Sequence, residues 1–136
     1  EFLETELARK TMAPWTWMVN HFPMFTDSIQ RKDDKSIIEQ WGPYLKKHGI
    51  SHFIAGHDHS LQHLEVGDFN TSFLISGGGG RALHEVKDGG RGFTKSQLGF
   101  HHLHVDRNAV TTRIIDEKGN LLHAFKRDSA GKVTIL

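Results

Sequence analysis

Cysteine is absent from the 136 residues, which excludes disulfides and thiolate metal sites. Any bound metal must then be held by imidazole, carboxylate or carbonyl groups. Charge of one sign is also lacking: 17 Lys and Arg stand against 16 Asp and Glu, a net +1. Such a balance gives no electrostatic footprint for nucleic acid. No apolar run approaches the roughly 20 residues of a membrane helix. Proline is scarce at 3 and tyrosine scarcer at 1, and no segment is repetitive or of low complexity, so a single domain over residues 1–136 is expected. The chain opens on Glu1-Phe2 without an initiator methionine, and its lack of a leader-like segment carries no information about compartment.

What is abundant is histidine, at 11 residues. At that frequency chance alone supplies roughly one His-x-His pair. The chain has His57/His59 and His102/His104. Context must therefore separate ligands from ordinary surface histidines.

Local patterns give an element order. Leu3 and Leu7 suggest a short amphipathic helix over Phe2 to Lys10, and Pro14 ends it. Trp15 to Asn20 reads as a buried strand leading into His21, stopped by Phe22-Pro23. Thr26 to Lys35 reads as polar loop. Ser36-x-x-Glu39 has the form of a capping box, followed by Ile37, Trp41, Tyr44, Leu45 and His48 at helical spacing. Pro43 inside that run implies a kink or two short helices, and Gly49 a terminating residue. Ser51 to Ala55 reads as a second buried strand. Period-two patterns then mark strands at Leu61–Val66, Ser72–Ser76, Phe100–Asp106, Val110–Asp116 and Leu121–Lys126. The fold class is mixed α/β, or α+β: strand–helix–strand followed by mostly antiparallel strands, with helices flanking layered sheets.

Two histidine segments fall at strand ends. Gly56-His57-Asp58-His59 follows Phe53-Ile54-Ala55, so alternation would set both imidazoles on one face and Asp58 on the other. Taken alone, this is either a ligand pair or two surface histidines. Asn20-His21-Phe22-Pro23 ends the earlier strand. A single crossover helix makes the two strands parallel neighbours, which would bring His21 to His57 and His59. Three neutral imidazoles form a credible site for a divalent first-row metal.

With these residues in view, the chain resembles the C-terminal half of a calcineurin-like metallophosphoesterase of the purple, or tartrate-resistant, acid phosphatase type. His21-Phe22-Pro23 is similar to that family's histidine-aromatic-proline motif. Gly56-His57-Asp58-His59, with Ser60 to Leu64 after it, resembles its final Gly-His-x-His motif, and Ile75 to Gly80 its glycine-rich turn. The likeness runs from Leu3 to Arg127. It implies half of a helix-flanked β-sandwich, a two-metal centre with His21, His57 and His59 as ligands, and phosphate-ester hydrolysis. Zn, Mn or Fe are the implied metals and phosphate or its esters the ligands. A secreted or periplasmic location is implied by resemblance alone.

The departures are equally specific. The family's earlier aspartate, Gly-Asp-x-x-Tyr and Gly-Asn-His motifs are absent, and with them the bridging carboxylate and the tyrosine that binds ferric iron. Gln30 stands near where a substrate-directed histidine often lies, so no residue is assigned a certain catalytic role. Asn20, Gln30, Asp58, His63 and Arg81 remain candidates for substrate or supporting contacts. Asp58 and Asp27 read as solvated or supporting groups, and His63 and Tyr44 as packing. His101, His102 and His104 read as edge residues, and Gly77 to Gly80 as a flexible turn. An isolated half-fold is expected to be a weak or inactive hydrolase, and to self-associate or pair with the missing N-terminal half. The alternative is a stand-alone protein that binds, stores or oxidises iron or zinc.

Overall fold

A computed structural model describes residues 2–9 and 11–136, so Glu1 and Lys10, including the expected end of the first helix, lie outside the described residues. In chain order the elements are α1 (Phe2–Leu7), β1 (Trp17–Asn20), α2 (Lys35–His48), β2 (His52–Ala55), β3 (Leu61–Glu65) and β4 (Ser72–Ser76). They continue with β5 (Gly92–Lys95), β6 (Gly99–Val105), β7 (Ala109–Asp116), β8 (Leu121–Asp128) and β9 (Val133–Ile135). One sheet has the order β1-β2-β4-β3-β5 and the other β6-β7-β8-β9. β1, β2 and β4 are parallel, whereas β3 and β5 run antiparallel to their neighbours, as does the whole second sheet. This is the mixed α/β, two-sheet architecture expected from the sequence.

Register explains the layers. Met18, Phe53 and Phe73 align across β1, β2 and β4, and with Leu64, Leu45 and Met24 they form the core beneath α2. The opposite face carries Val19, Ile54, Leu74 and His63 in one row across the strands. The second sheet covers the His63 end of that row, where His63 stacks on Phe125 at 3.5 Å between ring centroids. Val19, at the other end, is 73% exposed.

Helix α2 departs from expectation at both its start and its middle. Asp34 is the N-cap, accepting from the Ile37 N–H at 3.0 Å, while Ser36 lies inside the helix and accepts from Gln40 at 2.8 Å. Pro43 lies within one continuous helix. A proline forfeits one backbone bond there, and the apolar face packed on the sheet outweighs that loss. Gly42 is buried because the Phe69 ring lies where a side chain would begin: an added Cβ would meet it at 3.3 Å. Gly49 caps the C-terminus in the left-handed region (φ 62°), its N–H donating to Leu45.

Two further strands, β5 and β9, escaped the period-two reading because each is short and largely exposed. The segment Thr26 to Lys35 is not simply a solvated loop either. Met24, Thr26, Asp27 and Ser28 are buried, and the Arg91 guanidinium ties Asp27 and Asp33 to β5.

A polar seam joins the sheets. His63 contacts His123 at 3.0 Å and Glu65 at 2.8 Å, and Arg127 donates to Ser72 at 3.2 Å and to Asn70. His101, expected at a strand edge, has neither ring nitrogen in reach of solvent or of a partner. Burial, reinforced by His63 and His123, holds His101 down to about 3. Burial, then Arg127 and His63, does the same for His52, also to about 3.

Two outcomes follow. Asp34→Ala should lower unfolding free energy by about 1 kcal/mol, whereas Ser36→Ala should change it by less than ~0.5 kcal/mol; equal losses in urea titrations would contradict the cap assignment. The depressed histidines favour the neutral form in the folded state, so their contribution is complete above the unfolded value near 6.5 and is lost as pH falls towards 3. At about pH 5 the fully buried His52 should cost on the order of 2 kcal/mol. Urea midpoints should therefore fall steadily from about pH 7.5 to about pH 5, and a flat profile would show that these rings protonate without opening the sheets.

Candidate functional site

The crossover through α2 makes β1 and β2 parallel neighbours with Asn20 opposite Ala55. The ladder continues one step further, since the Gly56 N–H donates to the His21 carbonyl at 3.2 Å. His21 and His57 thus leave the same sheet edge together. Their Nε2 and Nδ1 atoms lie 3.1 Å apart, and Phe22 packs against both rings.

The backbone beyond β2 is not extended. His57 has φ 62°, the one non-glycine residue with positive φ among the described residues. The alternation that would have placed His57 and His59 on a common strand face therefore does not apply. Left-handed backbone at a residue bearing a Cβ costs about 1–3 kcal/mol and persists where its surroundings impose it. Here Gly77 supplies the constraint: a Cβ there would meet the Asp58 carbonyl oxygen at 1.8 Å. Gly77 thus packs closely beneath the histidine turn and Gly78 against Gln97 and Gly99, whereas an added Cβ at Gly79 or Gly80 would meet nothing.

His59 is anchored separately. Its Nδ1 lies 2.7 Å from the Ala82 carbonyl, its ring stacks on His84 at 4.4 Å, and its N–H donates to His84 Nδ1 at 3.2 Å. The carbonyl contact places the proton on Nδ1 and the lone pair on Nε2. The structure brings His21 and His57 into contact and leaves His59 outside that pair. Among the described residues, no three His, Asp or Glu side chains are gathered as ligands of one ion.

Asp58 is fully buried rather than solvated, with Thr26 Oγ1 donating to it and Arg31 at 3.9 Å. Asp27 is likewise buried, against Arg91. Desolvation first, then Arg31, lowers the His57 pKa and favours its neutral ring. Asn20 donates to the Phe22 carbonyl at 2.9 Å and shapes the turn. Gln30 and Arg81 are exposed in loops. His63 belongs to the inter-sheet seam, and Tyr44 stacks on His48 along α2.

Sequence reasoning overlooked His84, Arg31 and Lys32. Nothing in Leu83-His84 marks it, because the contact with His59 is made by a loop return. The consecutive Arg31-Lys32 pair is visible in the sequence only as polarity of the 26–35 loop. Both line a cleft of ≈ 260 Å³ together with Phe22, Thr26, His57 and Asp58.

Comparison with known proteins gives a consistent picture. No family model matches the chain. Purple acid phosphatase 7 of Arabidopsis thaliana is 30% identical over 128 residues, which cover 85% of this chain and 36% of that protein. Purple acid phosphatase 3 of the same plant is 25% identical over 124 residues, covering 88% and 34%. The chain thus spans about a third of the length of these relatives. The purple acid phosphatase PPD1 from yellow lupin (Lupinus luteus) seeds superposes with a TM-score of 0.73 at 17% identity, over 92% of this chain and 27% of its own. GAP50, the anchor in the inner membrane complex of Plasmodium, gives 0.72 at 19% identity over 90% and 38%. At those identities the two structures speak for the fold alone. Sequence and fold together identify the chain as related to the purple acid phosphatase-type metallophosphoesterases, corresponding to their C-terminal region.

Proposed function

We propose that this chain supplies the histidine side of a metal centre for phosphate-ester chemistry, with His21 and His57 as the paired ligands and His59 as the third. The contact between His21 Nε2 and His57 Nδ1 carries this reading. Two nitrogens bound to one tetrahedral ion at about 2.0–2.1 Å stand roughly 3.3 Å apart, close to the 3.1 Å observed. The Ala82 carbonyl orients His59 in the way that metal-bound imidazoles are held, by an acceptor on the ring nitrogen opposite the metal. Its Nε2 lone pair is directed away from that acceptor.

Neutral imidazole donors suit a divalent ion, because they bring no charge to offset a trivalent one. Such an ion polarises a phosphoryl oxygen and lowers the pKa of bound water. The chain's own residues position it: Phe22 and the Gly77 contact fix the pair, and Arg31 and Lys32 supply positive charge for a phosphate in the adjoining cleft. Gln30 is exposed and is not a group that protonates a leaving oxygen at ordinary pH. Hydrolysis by this chain alone is therefore slow.

The folded unit is one domain equivalent to a C-terminal half, completed by a second copy or by an N-terminal half. β1 forms the sheet edge beside the histidines, and the exposed Val19 (73%) and Phe22 (48%) give that edge an apolar surface. Exposed edges of this kind are relieved by pairing.

Zinc titrated into the chelator-treated chain should bind at about one ion per chain, and His21→Ala with His57→Ala should abolish it while His63→Ala retains it. Undiminished binding in the double variant would remove the site from this sheet edge. Iron loading should give no tyrosinate colour, since Tyr44 stacks on His48 along α2. Sedimentation at micromolar concentration should show a dimer; a monomer at every concentration would show that the edge needs no second copy.

A further inference from the structure

We infer that the polar seam between the two sheets is a separate metal site, in which His63, His123 and His101 hold a divalent ion. His63 Nδ1 and His123 Nε2 face each other at 3.0 Å. Two nitrogens on one tetrahedral ion at about 2.0–2.1 Å stand roughly 3.3 Å apart, so a small opening of the pair admits one. Stacking from the opposite sheet holds each ring in place: His63 on Phe125 with 4° between planes, and His123 on Phe93 with 6°. Glu65 Oε1 lies 2.8 Å from His63 Nε2, which places the proton there and the lone pair on Nδ1. A carboxylate on the ring nitrogen opposite the metal is the usual support of a metal-bound imidazole.

A hydrogen bond between the two rings would satisfy that pair without any ion. It would leave His101 unexplained. Neither ring nitrogen of His101 reaches solvent or a partner, and a buried polar group left in that state is costly. The register puts His101, Ile114 and His123 in one row across β6, β7 and β8, so His101 shares the sheet and the row of His123. As placed, the three histidines do not form a cluster of ligands among the described residues. The His101 ring therefore turns towards the pair when the ion enters, and its orphaned nitrogen gains a partner.

Charge in the seam limits which ion it holds. Glu65 is the carboxylate beside the histidines, and Arg127 stands 3.7 Å from its Oε2. With that acid matched by a guanidinium, no anion remains to offset a trivalent ion. Neutral imidazoles suit zinc or a neighbouring first-row divalent metal. His63 is buried and His123 half-buried. The ion therefore enters as the sheets close during refolding, whereas a titration of the folded chain fills the sheet edge at His21 and His57.

The test uses the full chain carrying His21→Ala and His57→Ala, so its outcome is independent of the sheet-edge pair. Refolded from urea with zinc and then desalted, it should keep about one ion per chain. It should also unfold at a higher urea midpoint than the same chain refolded in chelator. The ring-nitrogen NMR signals of His63, His101 and His123 should all shift on loading, and those of the exposed His102 and His104 should not. Adding His123→Gln should abolish both the retained zinc and the difference in midpoint. No retained zinc, retained zinc that leaves any of the three signals unshifted, or full retention after His123→Gln would each overturn the inference. If the His123→Gln chain does not refold, the NMR signals decide alone.

Discussion

The parallel pairing of β1 with β2 is the constraint on which the rest depends. One crossover helix joins the two strands, and the register sets Asn20 opposite Ala55. A shift by one residue would reverse every side chain on β1, moving Met18 out of the core beneath α2 and Val19 into it. The hydrophobic pattern of the strand thereby fixes where it ends, and so fixes His21. The meeting of His21 with His57 follows from core packing about three residues away. On the far side of β2, Gly77 lets the chain after β4 approach the Asp58 backbone closely, next to His57 in its left-handed conformation.

The interior between the sheets is built differently from the core under α2. Glu65, His63, His123, Ser72, Asn70 and Arg127 form a connected set of polar groups across the layers. A buried guanidinium is tolerated when its hydrogen bonds and a nearby carboxylate compensate it, and Arg127 has Glu65 Oε2 at 3.7 Å. Flat stacking of His63 on Phe125, with 4° between planes, lets an imidazole serve as apolar surface and hydrogen-bonding group at once. Directional bonds of this kind specify one relative placement of two sheets, where an all-apolar layer would accept several. His101 sits at the margin of this set without partners, and the depressed pKa records the cost of charging it.

Much of this was legible in the sequence, and the failures have a common cause. Strand–helix–strand, the antiparallel run and the histidines at strand ends are local patterns, so residues such as Phe53 to Ala55 announce them. Asp34 and Ser36 both have cap chemistry, and two residues decide between them only once the helix has a start. The burial of Asp27 and Asp58 is invisible locally, because the groups that compensate them, Arg91 and Thr26, arrive from 64 and 32 positions away. His84 is of the same kind, meeting His59 across 25 residues. Alternation failed at His57 because it presumes extended backbone, and the chain had already turned.

The carboxylates around the cleft also explain why the site has a nitrogen-and-cation character. Asp34 is committed to the helix cap, Asp33 accepts from the Thr26 N–H and from Arg91, Asp27 from Arg91, and Asp58 from Thr26. Each acidic group at this edge is therefore spent on holding the 24–35 segment against the sheet. Asp27 Oδ2 and Asp58 Oδ1 are buried without a hydrogen-bond partner among the described residues, while His57, Arg31 and Lys32 line the opening. The segment that looked like a polar loop is thus what decides the charge of the site. By drawing the acids inward to Thr26 and Arg91, it leaves Arg31 and Lys32 lining the opening beside His57.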